Sequence, residues 1–359
     1  MRLVIFSLLL TFMLFFLTFT RLTHGAEVPR IAVYYFSNQT GTEEWEWLER
    51  GMADMLERTF SQSEKLHCIT LSEIDQAVDR EKFEGLSESK ELSFFQSLNN
   101  LLKVDTIFTG NFSMNTQGEI RFNLLMYQSQ LNELFEFREE VSPPDDLLEI
   151  KEKFAEVIMR EMDIAIDEEL ALLLNKNISS SIPALKAYYQ AIEFKNKAIQ
   201  EYQGIDFPSK PLWTEAIEYA EKAVIEDPQF AEAYYLLAEI YERTKWTFRE
   251  VQNLEKFIET AENNMNIQVS YQKLSESLYR LAYSKYTQGD IHSAITDLEE
   301  AIGYYPKNIQ AREYLMRIYY QIGEISKALQ QAEEIKKIEP NNQEIEWFKR
   351  KTQQAAKYG

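Results

Sequence analysis

Cysteine is almost missing from this 359-residue sequence, with Cys68 alone, so no internal disulfide can staple the fold. That lone thiol reads as a small buried hydrophobe on a strand rather than a reactive group. Histidine is nearly as scarce, at His24, His67 and His292. Zinc sites and hydrolase triads need several convergent ligands, or a base with its orienting partner, and scattered imidazoles supply neither. The 11 glycines form no phosphate-cradling pattern. Positive charge is also short: 38 Lys and Arg face 58 Asp and Glu, a net charge of -20. Such a chain repels phosphates, which excludes nucleic acid as a partner. Asp145-Asp146 follows Pro143-Pro144 and reads as helix-start chemistry, and Asp167-Glu168-Glu169 as a solvated face, not as acid/base pairs. Sequons at Asn38, Asn111 and Asn177 read as chance matches. No catalytic residue, cofactor-binding residue or metal ligand is assigned, no cofactor is implied, and the chain reads as no enzyme.

Apolar content is ample, at 45%, enough for ordinary globular cores. Part of it lies in the uncharged run from Leu3 to Phe19, preceded by Arg2 and followed by the small-residue stretch Thr23-His24-Gly25-Ala26. Residues 1–26 therefore read as a secretory signal peptide, or as an uncleaved anchor, because the run also approaches the length that spans a bilayer. No cysteine near the cleavage site accepts a lipid.

The carboxy-terminal half is repetitive. Ala282, Gly289-Asp290, Ala294, Leu298, Ala301 and Pro306 are followed by Gly323, Ala328, Ala332, Ile335 and Pro340, and the two prolines lie 34 residues apart. Upstream, Ala216, Ala220 and Ala223 precede Asp227-Pro228, and Tyr234, Leu237, Ala238 and Tyr241 follow it. Small residues at this spacing fit two helices crossing closely. The segment resembles tetratricopeptide repeats over 213–340 and, in degenerate form, over 182–212. About four units are expected within 182–342. The first has Ala187, Ala191 and Phe194 inward and is interrupted by Glu201–Leu212. A polar loop is expected at Asn263–Lys273. The unit from 231 to 262 departs most, because Glu250 stands where a small residue belongs. Residues 343–359 read as a polar capping helix.

Residues 27–166 have a different pattern. A strand over Arg30–Phe36 runs into the turn cluster Ser37-Asn38-Gln39-Thr40-Gly41. Leu48, Met52, Met55, Leu56 and Phe60 mark a helix face. A second strand spans Leu66–Leu71, with Ser72 placed to cap a short helix through Val78. Glu91–Leu102 is helical, with Leu92, Phe95, Leu98 and Leu102 inward. A strand follows over Asp105–Asn111, then two alternating runs, Glu119–Gln128 and Glu133–Val141. A long helix after Pro143 presents Leu147, Ile150, Phe154, Val157, Ile158 and Met162. This order implies a small mixed sheet with helices against it. Gly51 in mid-helix costs stability unless another element approaches closely. Residues 167–181 read as a helical linker. The fold class is thus an α/β small mixed-sheet domain followed by an all-α tetratricopeptide-repeat solenoid.

The first strand with its Asn-Gln-Thr-Gly loop, Gly51, and Val104-Asp105-Thr106-Ile107 leading to Gly110 together resemble the TolB-like amino-terminal domain. That family is akin to curli-secretion and flagellar-assembly envelope proteins and often precedes tetratricopeptide repeats in bacteria. The resemblance implies an exported protein of the bacterial periplasm or cell envelope. It also departs from the curli type, whose pore needs long membrane-crossing insertions and a lipidated cysteine, because the turn Ser129–Asn132 is short.

Stacked repeats leave a concave surface suited to another protein. In the expected register it is lined by Tyr235, Glu239 and Glu242, then Tyr279, Tyr283 and Tyr286, then Arg317 and Tyr320. Tyrosine offers wide contact with a hydrogen-bonding tip at little entropy cost. Two classes of function stay open. One is an adaptor binding protein partners through that surface. The other is a structural or secretion-apparatus subunit that forms homo-oligomers through its TolB-like domain. Membrane contact enters only through an uncleaved amino-terminal anchor.

Overall fold

The computed structural model describes residues 28–78, 92–201, 210–263, 270–346, 348, 350 and 351. Residues 1–26, expected to be a signal or anchor, and most of the expected capping segment lie outside them. The chain divides into two compact units, Met1–Asn175 and Lys176–Gly359. The first is a mixed-sheet unit and the second a run of helices. Among the described residues no helix is long and apolar enough to cross a membrane.

In the first unit the elements are β1 (Arg30–Val33), β2 (Ser37–Asn38), α1 (Trp47–Phe60), β3 (His67–Ile69), α2 (Leu71–Ala77), α3 (Leu92–Leu102), β4 (Thr106–Met114), β5 (Ile120–Gln128), β6 (Glu133–Ser142), α4 (Leu147–Glu161) and α5 (Glu168–Leu174). The sheet order is β3-β1-β4-β5-β6, with β2 also on β4. β1 runs parallel to β3 and β4, while β4, β5 and β6 are antiparallel. Phe36 and Phe122 both meet Phe154 of α4, at 6.2 and 6.1 Å, so one sheet face is sealed by aromatic packing. Tyr127 lies an odd number of residues from Phe122, hence on the opposite face. Its ring stacks on Phe95 of α3 at 5.8 Å.

Three expectations change. The first strand is not continuous: pairing stops at Val33 and resumes at Ser37. Over Tyr34–Phe36 the chain jogs, held by Tyr34 N donating to Phe108 O at 2.7 Å and Thr109 Oγ1 donating to Tyr35 O at 2.6 Å. The jog lays the Phe36 ring where a side chain at position 110 would be: a Cβ on Gly110 would sit 2.4 Å from that ring and 2.3 Å from Asn123 O. Second, the cap of α2 is Thr70, not Ser72. Thr70 and Glu73 form a reciprocal capping box that satisfies two orphan N–H groups, and Ser72 lies inside the helix. Third, Phe94, absent from the expected apolar face of α3, is buried beside Phe95, while Leu92 is only half-buried. Gly51 is buried within α1. Cys68 is buried on β3, and burial pushes its thiol well up. Asn111 is buried as well.

One buried charge ties α5 to this unit. Lys151 of α4 has no exposed surface, and its Nζ donates to Leu174 O, the end of α5, at 2.6 Å. A cation suits a helix carboxyl end, yet burial holds this ammonium down, at about 8. The sign follows from linkage. Between pH 8 and the unfolded value the unfolded chain binds the extra proton, so stability rises with pH there. The gain should reach about 1–3 kcal/mol by pH 10 and be missing in Lys151→Met, as urea titrations at several pH values would show.

The second unit comprises α6 (Ile182–Glu201), α7 (Lys210–Glu226), α8 (Ala231–Arg243), α9 (Thr247–Asn263), α10 (Tyr271–Thr287), α11 (Ile291–Tyr304), α12 (Ile309–Gln321) and α13 (Ile325–Ile338), and residues 343–346 are again helical. Consecutive helices pair as four hairpins. Ala184, Ala187, Ala191, Ala216, Ala220, Ala223, Ala238, Ala282, Ala294, Ala301, Ala311, Ala328 and Ala332 are buried, as close crossings require. Phe194, expected inward, is half-buried and stacks on Tyr219 at 5.4 Å. The interruption expected at Glu201–Leu212 is shortened by α7, which starts at Lys210 with Pro211 inside it; residues 202–209 lie outside the described set. The loop expected at Asn263–Lys273 is likewise narrowed, because Ser270 caps α10 and accepts from Lys273 N, with 264–269 outside the description. The capping segment is less polar than it looked: Ile345 and Phe348 are buried in the terminal core.

Candidate protein-binding face

The first helices α8, α10 and α12 carry the eight residues expected to line a surface, and the structure sorts these into four groups. Tyr235 is buried. Its ring packs on Phe257 at 5.1 Å inside a core cluster, so it stabilises the hairpin and lines nothing. Glu239, Glu242 and Arg317 form ion pairs between elements: Lys195 with Glu239 at 3.0 Å, Arg280 with Glu242 at 3.2 Å, and Arg317 with Glu344 at 2.5 Å. These pairs are partly exposed, so each contributes registration more than energy. Tyr320 packs edge-on against Phe348 at 5.8 Å.

The remaining three are brought together. Tyr279, Tyr283 and Tyr286 of α10 all meet the ring of Tyr314 on α12, at 6.0, 5.7 and 5.5 Å. Tyr279, Tyr286 and Tyr314 rest on the apolar core beneath, whereas Tyr283 is 54% exposed. Tyr286 donates its hydroxyl proton to Gln321 Oε1, which fixes that ring. Burial pushes the Tyr314 phenol up to about 12, and the neighbouring Tyr286, Tyr283 and Tyr279 add to the effect. Tyr279 is raised by burial and then by Glu313. Tyr279 and Tyr314 therefore stay protonated at neutral pH, and the four rings form an aromatic platform edged by hydroxyl groups that can both donate and accept. Glu313 borders it, raised by burial and held by Asn342 Nδ2 at 2.7 Å.

Tyr314 and Arg280 escaped the sequence reading. Both lie one residue away from the stripe followed along each helix, and only the crossing of α10 with its neighbours turns them toward it. Arg280 explains the departure at Glu250, whose carboxylate it engages at 2.7 and 3.1 Å. A charge stands at a position of small residues because the next first helix supplies its partner.

Residues 212–245 and 285–349 each match a model of the tetratricopeptide repeat. The repeat is thus carried by the carboxy-terminal region, and the unmatched residues 246–284 begin just before Glu250. No curated protein matches the chain. Among solved structures, similarity is found to MamA protein (20% identity, 42% of this chain and 74% of that one, TM-score 0.32). YrrB, described as a tetratricopeptide protein with an unusual peptide-binding site, gives 14% identity over 56% of this chain and 91% of that one, TM-score 0.34. The first tetratricopeptide domain of Spaghetti (RPAP3) bound to an HSP90 peptide gives 18%, 38%, 95% and 0.28 for the same quantities. Likeness at this level carries no argument about binding.

A cavity of about 550 Å³ beside β3 is lined by His67, Cys68 and Glu73, among others. Its thiol is held protonated by burial, which makes a poor nucleophile. Among the described residues no group of three or more His, Cys, Asp or Glu is placed to hold a metal ion.

Proposed function

We propose that this chain is an exported, non-enzymatic adaptor of a bacterial periplasm or cell envelope that holds a protein partner on the first-helix face of its repeats. The observation that carries the reading is the gathering of Tyr279, Tyr283, Tyr286 and Tyr314 from two repeats into one platform. Aromatic rings supported from below, with one exposed, are the composition of an interface centre. Export rests on the signal-like run of residues 1–26, which would also be the membrane contact if retained. The amino-terminal domain, by its TolB-like resemblance, would dock a second component or self-associate.

Crosslinking and affinity capture of the full chain from its own envelope, beside Tyr283→Ala, tests this. An exposed ring can be removed within about 0.5 kcal/mol of wild-type stability, while an interface anchor costs more than 1 kcal/mol of binding, roughly tenfold in recovery. Equal recovery of partners by both proteins overturns the assignment of the face. Recovery of nothing but the chain itself as a homo-oligomer would favour the ring-subunit reading.

A further inference from the structure

The turns joining first and second helices are built alike in three repeats, and one of them carries different chemistry. Gly289 N donates to Tyr286 O at 3.0 Å and Asp290 N to Lys285 O at 3.0 Å; Gly323 N donates to Tyr320 O at 3.2 Å and Glu324 N to Tyr319 O at 2.8 Å. In the second repeat the same bonds run from Lys245 N to Glu242 O at 3.2 Å and from Trp246 N to Tyr241 O at 2.9 Å. The backbone is conserved between repeats and the side chains are not. Gly289 and Gly323 have φ of 89° and 84°, and Lys245 takes φ 63° in the same place. That left-handed conformation favours glycine, so a lysine is held there against local preference. The acid of the other two turns becomes Trp246, 57% exposed, followed by Phe248, 73% exposed.

Charge sharpens the contrast. Among the described residues Arg243, Lys245 and Arg249 form no ion pair, although the chain is strongly acidic. The adjoining carboxylates, Glu242 and Glu250, are both engaged by Arg280, at 3.2 and 2.7 Å. Glu221, which accepts from the Tyr241 hydroxyl at 2.9 Å, is the third carboxylate nearby, so Arg243, Lys245, Arg249 and Arg280 outnumber the acids and leave the turn with its two exposed rings net positive. Trp246 is propped by stacking on buried Tyr241, centroids 5.8 Å apart and planes 12° apart, so its orientation is set before any contact.

We propose that this turn is a docking tip for an anionic phospholipid surface, independent of the tyrosine platform and of any amino-terminal anchor. Both rings are more than half exposed at a turn between two helices, whereas a pocket enclosing a peptide would bury them. Trp at a tip with flanking Lys and Arg is interfacial chemistry: the ring enters the headgroup layer and the cations meet lipid phosphates. The acidic remainder of the chain does not prevent this, because at physiological salt charges beyond about 8 Å are screened and the sign of the tip decides.

The test is co-sedimentation of the full chain with phosphatidylcholine vesicles, with and without phosphatidylglycerol. Binding should rise with the anionic fraction and fall with salt. Each cation removed should weaken it about fivefold, so Arg243→Gln, Lys245→Gly and Arg249→Gln together should weaken it about a hundredfold. Lys245→Gly restores the residue the other repeats use, so folding is preserved. Brominated acyl chains should quench the Trp246 contribution to wild-type fluorescence and leave the emission of Trp246→Phe unquenched. Any binding by the apolar run of residues 3–19 would be indifferent to these substitutions. The proposal is overturned if binding ignores phosphatidylglycerol, or if the triple variant binds as wild type does. It is also overturned if sedimentation velocity shows the tip supporting self-association that the same variant abolishes without an effect on vesicles.

Discussion

Gly110→Val should cost the amino-terminal unit on the order of 3–5 kcal/mol, a large share of a domain's marginal stability. Even the first added carbon would lie 2.3 Å from Asn123 O on β5 and 2.4 Å from the Phe36 ring. The carbonyl belongs to the register Asn111↔Asn123 and Gly110↔Leu124, where β5 and β6 already accommodate a bulge, so the backbone cannot retreat without breaking pairing on both sides. The ring cannot leave either: Phe36 is buried against Phe154. Removing it by Phe36→Ala opens a cavity that should cost about 3–5 kcal/mol alone. The double variant should nevertheless lose less than the two single losses added, because the valine partly fills the space the ring vacates. It should not recover fully, since the clash with Asn123 O persists. Hydrogen exchange read peptide by peptide is the appropriate measurement: protection should fall across β4 and β5 and stay unchanged in α10–α13. Equal protection in wild type and Gly110→Val would mean that the jog at Tyr34–Phe36 does not depend on the glycine.

That jog also marks where sequence reasoning stopped. The run Arg30–Phe36 looks like one strand because its residues are uniformly apolar, and a buried parallel strand has no alternation to break. The exchange of a side chain between positions 36 and 110 is a long-range event that no local pattern records. Gly110 itself was visible, but only as a strand glycine. The cap of α2 was different: Thr70 and Glu73 spell the capping box in sequence, and the choice of Ser72 followed the expected strand end instead of that signal. In the repeats the alanine pattern placed helices well, because close crossings demand small residues at fixed spacing and the structure buries them. The same periodicity overreached for the binding face. Tyr235 occupies the place in its helix that Tyr279 occupies in the next, yet one is buried and the other half-buried. What differs is the surroundings: Tyr235 packs on Phe257 with Lys273 over its ring, whereas Tyr279 meets Tyr314 edge-on.

Ala294→Glu should destabilise the repeat unit by roughly 3–5 kcal/mol, the cost of an unpaired carboxylate in a buried crossing. The chain itself supplies the control, since Glu250 occupies the corresponding position one repeat earlier and is tolerated. The difference lies in the partner. Glu250 is met by Arg280 from the next first helix, and Tyr314 stands at the place of Arg280 one repeat later, its ring engaged with three other tyrosines. No cation reaches position 294 from there. Tyr314→Arg should therefore recover part of the loss in the double variant, and a failure to recover any would show that steric crowding, not charge, sets the cost. pH gives a second handle. Burial raises a carboxyl in the folded state, so the folded protein keeps a proton that the unfolded chain has released. The deficit of Ala294→Glu should thus be smallest near pH 4 and grow as pH rises toward neutrality. In reverse, Glu250→Ala with Arg280→Tyr installs the later repeat's pair in the earlier one. Replacing an ion pair by packed neutral groups is often neutral or favourable, so the double variant should match or exceed wild type. Glu250→Ala alone should fall about 1–2 kcal/mol below it, because Arg280 would keep only Glu242, with Nη1 already lacking a partner. Denaturant melts of these four proteins would separate the readings: a loss in the double variant as large as in Glu250→Ala would mean that the pair is required for packing and is more than a local solution to a misplaced charge.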